Sequence, residues 1–179
     1  SSPREILIAT NRILCESLEK NLFVTLQIAN FDMQKMELTI SRAGHNPAIW
    51  LPASGDLKFL KPNGLGIGLD SGAVFDTMLE ELKLSFAPGD FFILYTDGVI
   101  EARNAMDVEF DETQLVEILK KNHFSDAKSL KNHILRNLRK HIDGTSVHDD
   151  YTLVVVGIRD KKPAPEVAGE QSHKETALV

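Results

Sequence analysis

Pro88-Gly89-Asp90-Phe91-Phe92-Ile93-Leu94-Tyr95-Thr96-Asp97-Gly98-Val99-Ile100-Glu101-Ala102 is the stretch that decides the fold. Pro88-Gly89-Asp90 is turn chemistry, because proline presets its φ and glycine tolerates positive φ. Phe91 to Tyr95 carries no charge and hardly alternates, so it reads as a strand covered on both faces. Asp97 then falls where a buried strand reaches the edge of its sheet. A carboxylate there is costly to desolvate without a positive partner, and a divalent cation supplies one. A second such place is His148-Asp149-Asp150-Tyr151-Thr152-Leu153-Val154-Val155-Val156, two acids running into a β-branched strand. Two carboxylate-tipped strands are the smallest kit for a hard-metal site.

Working outward, residues 3 to 20 read as a helix opened by Ser2-Pro3-Arg4-Glu5, a capping box with proline at its first position. Ile6, Ala9, Ile13, Leu14 and Leu18 give its expected buried face. Residues 22 to 30 and 36 to 43 read as an antiparallel hairpin, turned around Asp32 to Lys35, with one buried face. A shorter hairpin is expected over 48 to 51 and 57 to 60. Further strands are expected over 74 to 85, 91 to 95 and 151 to 158. Leu115, Ile118 and Leu119 mark a helix over 111 to 121; Leu130, Ile134, Leu135 and Leu138 mark another over 126 to 141. One helix, many strands, two helices and a last strand make an α+β domain of mostly antiparallel sheet. Residues 1 to 159 would form that domain. Residues 160 to 179, with Pro163 and Pro165 and no apolar period, read as a disordered tail.

Three segments carry a family resemblance: L-Y-T-D-G-V-I-E-A (Leu94 to Ala102), D-D-Y-T-L-V-V-V (Asp149 to Val156) and A-G-H-N-P (Ala43 to Pro47). In order and context they resemble the metal-dependent protein phosphatases of type 2C, in the branch of stage II sporulation protein E and the sigma-B regulatory phosphatases. Asn63 to Gly68 resembles that branch's glycine-rich loop, with Gly66 where a proline is common. The resemblance covers roughly residues 3 to 158. It implies an α-β-β-α sandwich. The family's opening G-D-x-S-G-H-G-like segment, whose aspartate bridges two metals, does not occur in these 179 residues. The expectation is therefore an N-terminally truncated domain, weak in metal binding and slow on phosphoesters by itself.

The resemblance implies that Asp97 and Asp149 are ligands of Mg²⁺ or Mn²⁺ in a two-metal site, with Gly98, Asp150 and Glu101 supporting them. It implies hydrolysis of phosphoserine or phosphothreonine by a metal-activated water, on a regulatory protein such as an anti-sigma-factor antagonist. Two such cations sit roughly 3.5–4 Å apart and prefer oxygen ligands. Taken singly, Asp97-Gly98 is also a plain turn and Asp149-Asp150 a solvated loop. His45 could be a polar group at the cleft, or could hydrogen-bond its own loop. Arg42 and Arg103 default to solvated charges, and the glycine loop to a crossing between strands. His148 is expected to be exposed, and Asn104 has no assigned role.

A net charge of −6 leaves no basic footprint for nucleic acid. The single cysteine, Cys15, cannot close an internal disulfide and fits a reducing cytoplasm. No apolar run is long enough to span a membrane. An uncovered sheet edge or apolar face would favour a homodimer. A rival function of another class stays open: a non-catalytic interaction module on the same fold. The phosphatase reading needs an upstream bridging aspartate, and the rival does not.

Overall fold

The computed structural model describes residues 1–19, 21–54, 56–120, 123–143 and 150–160. In chain order the elements are α1 (Pro3–Ser17), β1 (Leu26–Asp32), β2 (Glu37–Ala43), β3 (Ala48–Leu51), β4 (Lys58–Leu60), α2 (Ala73–Met78), β5 (Leu82–Ser85), β6 (Phe91–Tyr95), α3 (Asp97–Ile100), α4 (Asp111–Lys120), α5 (Ala127–His141) and β7 (Leu153–Gly157). The strands form two sheets ordered β1-β2-β5 and β4-β3-β6-β7, and every strand pair is antiparallel.

Three apolar clusters define the layers. Phe91, Ile93 and Tyr95 of β6 pack with Leu115 and Leu119 of α4 and with Leu130, Ile134 and Leu138 of α5. Phe92, from the opposite face of β6, meets Leu38 and Ile40 of β2 between the sheets. Leu7 of α1 packs with Ala43, Ile67, Phe75 and Leu79 on the outer face of the first sheet. Helix, sheet, sheet and helices therefore stack as the expected α-β-β-α sandwich. Strand alternation explains how β6 serves two cores: successive side chains point to opposite faces, and both faces are covered.

Several expectations are corrected. In α1 the capping box is present, but the buried line runs Pro3, Leu7 and Asn11, while Ile6 and Ile13 are exposed. Asn11 hid this line from a hydrophobic count. Its Nδ2 donates to the Asp70 carbonyl (2.8 Å) and its Oδ1 accepts the Gly68 N–H (2.9 Å), so the buried amide is satisfied. The β1–β2 hairpin forms, and Asp32 Oδ1 accepts the N–H groups of Gln34 and Lys35 in its turn. Both of its faces are buried rather than one. Leu26 and Ile28 face α1, whereas Ala29 and Phe31 join Leu38 and Ile40 between the sheets.

The expected strand 74 to 85 is a strand only over its last part. Asp70 Oδ1 accepts the N–H groups of Gly72 and Phe75 and starts a helical turn, α2, that buries Phe75 and Leu79. Beyond Asp160, the predicted tail lies outside the described residues.

Candidate active site

The register of β6 and β7 runs from Phe91↔Gly157 to Tyr95↔Leu153. It continues one step beyond the strands. The Thr96 N–H donates to the Thr152 carbonyl (3.1 Å), and the Thr152 N–H donates to Thr96 Oγ1 (2.9 Å). The chain then enters the single turn α3, closed by the Glu101 N–H on the Asp97 carbonyl at 2.8 Å. Val99 is fully buried and pins this turn to the core. Asp97, the first residue of the turn, is exposed. Its backbone is fixed while its carboxylate stays accessible, and among the described residues Oδ1 accepts only the neighbouring Gly98 N–H, at 3.0 Å.

Gly98 explains how the two strand ends meet. A Cβ built on it would lie 2.6 Å from the Asp150 carbonyl oxygen, well inside contact distance. Only glycine lets the two backbones approach this closely. Asp150 itself is exposed. Asp149, the second predicted ligand, and His148 lie outside the described residues.

The A-G-H-N-P loop follows β2 and brings a second group to Asp97. His45 is half-buried, with Nδ1 3.2 Å from Thr25 Oγ1. Arg42 Nη1 donates to the His45 carbonyl (2.6 Å), and Gln27 Nε2 donates to the Asn46 carbonyl (3.1 Å). Burial pushes the His45 imidazole below its ordinary pKa; the Asp97 charge works against this, and Arg42 adds to it. Residues far apart in sequence are thus close enough for their charges to couple.

Arg42 is therefore not a solvated surface charge. Its Nε is buried and takes no hydrogen-bond partner among the described residues, as does Gln27 Oε1. Sequence reasoning missed Thr25, Gln27 and the bracing role of Arg42. The one available signal was the position of Arg42 beside A-G-H-N-P.

Glu101 is the exposed C-cap of α3. Asn104 shapes its own loop, its Oδ1 accepting the Met106 and Val108 N–H groups. Arg103 pairs with Asp107 and Glu109. The glycine loop crosses between strands, with the Val24 and Ile67 backbones exchanging hydrogen bonds and Asn63 held by Glu80. Among the described residues, no three or more His, Cys, Asp or Glu side chains form a metal-holding group.

A family model described as Stage II sporulation protein E (SpoIIE) matches residues 1–159. The chain belongs to the SpoIIE family. SpoIIE-type relatives agree with this. The phosphoserine phosphatase RsbU of Bacillus subtilis (strain 168) is 27% identical over 158 residues, 86% of this chain and 44% of that protein. Protein IcfG of Synechocystis sp. is 31% identical over 151 residues, 84% of this chain and 23% of that protein. The chain thus spans less than half the length of either relative.

Solved structures share the fold. The SiaA-PP2C domain of Pseudomonas aeruginosa superposes with a TM-score of 0.72 at 18% identity, covering 89% of this chain and 60% of that one. The SpoIIE phosphatase domain of Bacillus subtilis, in a crystal form without domain swapping, gives 0.69 at 21% identity, covering 98% and 70%. RsbX in complex with magnesium gives 0.59 at 19% identity, covering 87% and 64%.

Proposed function

We propose that this chain contributes most of a Mg²⁺- or Mn²⁺-dependent serine/threonine phosphatase domain. The observation that carries the reading is Asp97, an exposed carboxylate on a rigid turn at the tip of a buried strand. An accessible hard-oxygen donor on a fixed backbone suits Mg²⁺ or Mn²⁺. SpoIIE family membership and the phosphatase RsbU among the relatives support it, as does RsbX in complex with magnesium. Asp97 and Asp149 would hold the cation. When bound, divalent cations acidify water and neutralise charge on phosphoryl oxygens. Gly98 lets the backbone at Asp150 approach α3 closely, which would bring the acidic segment before β7 near Asp97. Asp150, ahead of β7, and Glu101, at the end of the helical turn that Asp97 opens, would support the ligands. His45, anchored through Thr25 and its carbonyl bond from Arg42, offers a fixed polar group beside Asp97.

The substrate would be a phosphoserine or phosphothreonine on a regulatory protein, an anti-sigma-factor antagonist being the family default, in the cytoplasm. No helix among the described residues is long and apolar enough to cross a membrane, which is compatible with that setting.

The test is phosphate release from a phosphoserine peptide by the full-length gene product, with Mn²⁺, with Mg²⁺ and with a chelator. Metal-dependent release, lost in Asp97→Asn, is expected. No release by the full-length product at any metal concentration would overturn the reading in favour of a non-catalytic interaction module.

A further inference from the structure

α5 carries Lys128, Lys131, Arg136, Arg139 and Lys140, and every one of them is exposed. The helix contains no acidic residue. At about 1.5 Å per residue the cations extend over about 18 Å. At about 100° per residue they spread over roughly half of the helix surface, away from the buried line of Leu130, Ile134 and Leu138 except for Lys131 at its border. None of the five makes an ion pair with a described residue. Lys131, Asn132, Leu135, Arg136 and Arg139 line a shallow groove along this face.

Two local explanations cover only part of this. Arg139, Lys140 and His141 complement the helix dipole at its C-terminus. Lys128, Lys131 and Arg136 do not, and they lack the acidic neighbours that usually lace an exposed helix face. The chain as a whole carries 26 acids against 20 lysines and arginines. A cationic strip with no ion-pair partner among the described residues is a local positive field on an otherwise acidic protein, and it attracts an anionic partner.

The strip leads towards the candidate site. His141 Nε2 lies 2.9 Å from the Val108 carbonyl, and its ring meets Phe110 edge-on. Val108 and Phe110 belong to the loop that leaves α3 directly after Asp97 and Glu101. The C-terminal end of α5 therefore braces the loop that leaves the candidate site.

We infer that the outer face of α5 is the docking strip for an acidic phosphoprotein substrate, which it presents to the site at Asp97. This rests on the phosphatase reading above. An anionic membrane is the poorer fit, because the apolar face of α5 is spent on the core and its outer face offers little to insert. RNA is the poorer fit because the two aromatic rings of α5, His133 and His141, are already engaged by Phe124 and Phe110, and no Phe, Tyr or Trp of α5 stands among the cations to stack a base.

The experiment uses the full-length product and its triple variant Lys131→Glu/Arg136→Glu/Arg139→Glu, with phosphorylated casein as the acidic phosphoprotein and p-nitrophenyl phosphate as the small substrate. At about 50 mM salt the variant should raise KM for casein about tenfold and leave p-nitrophenyl phosphate turnover unchanged, with the difference shrinking by about 200 mM salt. An unchanged KM for casein overturns the strip. So does an equal loss on both substrates, or a Lys58→Glu/Lys61→Glu/Lys83→Glu control with the same effect. Fluorescence anisotropy with labelled casein, RNA and anionic vesicles separates the two readings. If the parent hydrolyses nothing yet binds casein through this strip, the phosphatase reading fails and the docking strip stands. Tighter binding of RNA or vesicles than of casein overturns the assignment of partner.

Discussion

Asp90 and Asp97 flank the same strand and have opposite fates. Asp90, just before β6, is buried, and its carboxylate accepts three hydrogen bonds: from Trp50 Nε1 (3.0 Å), the Ala53 N–H (2.8 Å) and the Ala87 N–H (3.0 Å). It ties the β5–β6 turn to the end of β3. Asp97, just after β6, is exposed and among the described residues accepts a single N–H, from its neighbour. One carboxylate has its acceptor capacity spent inside the protein; the other keeps its capacity for something from outside. What separates a satisfied acid from an accessible one is the number of donors the fold brings to it, and not its distance from an apolar run.

The comparison breaks most visibly at Asp97. Asp97→Asn should reduce metal-dependent phosphatase activity of the full-length product by roughly a hundredfold or more, since even outer partners of a metal site are worth 10–100-fold. Its melting temperature should stay near that of the parent. Phosphate-release kinetics and a thermal melt on the same sample check both halves. Activity within a few-fold of the parent would remove Asp97 from the site.

Asp90→Ala should behave in the opposite way. It removes the shared acceptor of three donors in a part-buried corner, for a stability loss of about 1–3 kcal/mol by denaturant titration, while the molecules that stay folded keep their metal affinity. A loss below about 1 kcal/mol would mean that water replaces the carboxylate without strain.

Gly98→Ala sharpens the contrast without touching a carboxylate. Its Cβ would push on the Asp150 backbone, so a cost of about 1–3 kcal/mol is expected. Metal affinity should fall with it, because the two acidic tips separate. Mn²⁺ titration by calorimetry would show the change. Unaltered affinity would sever Gly98 from the site.

The smallest effect concerns a third acid. Asp126 caps α5, accepting the Ser129 N–H (2.7 Å), and this bond lowers its pKa. A folded-state pKa below the unfolded value gives stability that is complete above about pH 4 and is lost as pH falls through the folded value. Asp126→Asn should therefore flatten the decline of melting temperature between about pH 5 and pH 3. An acid limb identical to the parent's would assign the decline to other carboxylates.

Much of the fold was legible because its signals are local. The uncharged run Phe91–Tyr95 declared a doubly covered strand, Ser2-Pro3-Arg4-Glu5 a helix start, and Leu130, Ile134 and Leu138 the inner face of α5. The misreadings came where a polar side chain served as core or as a cap. Asn11 interrupts the apolar period of α1 yet is fully buried, so counting hydrophobic residues selected the wrong face. Asp70 starts α2 through N–H groups that come after it in the chain, inside a stretch whose composition reads as strand. The burial of both hairpin faces was hidden because β1 and β2 each alternate between two cores, and a sequence shows the alternation but not the second cover.

The sequence by itself determined most of the elements and their order (α2 and α3 excepted), the family motifs and the acids that follow or precede two apolar runs, since these depend on periodicity, turn chemistry and residue type within a short window. The tertiary structure decided which carboxylate is satisfied and which is not, and that Arg42 braces His45 beside Asp97. It also decided that five cations of α5, with no ion-pair partner among the described residues, share the outer side of a helix whose end meets the loop leaving the site. Those outcomes depend on which distant backbone donors and charges arrive at a given side chain. Sheet register and layer packing set that arrival through long-range contacts that no local window contains.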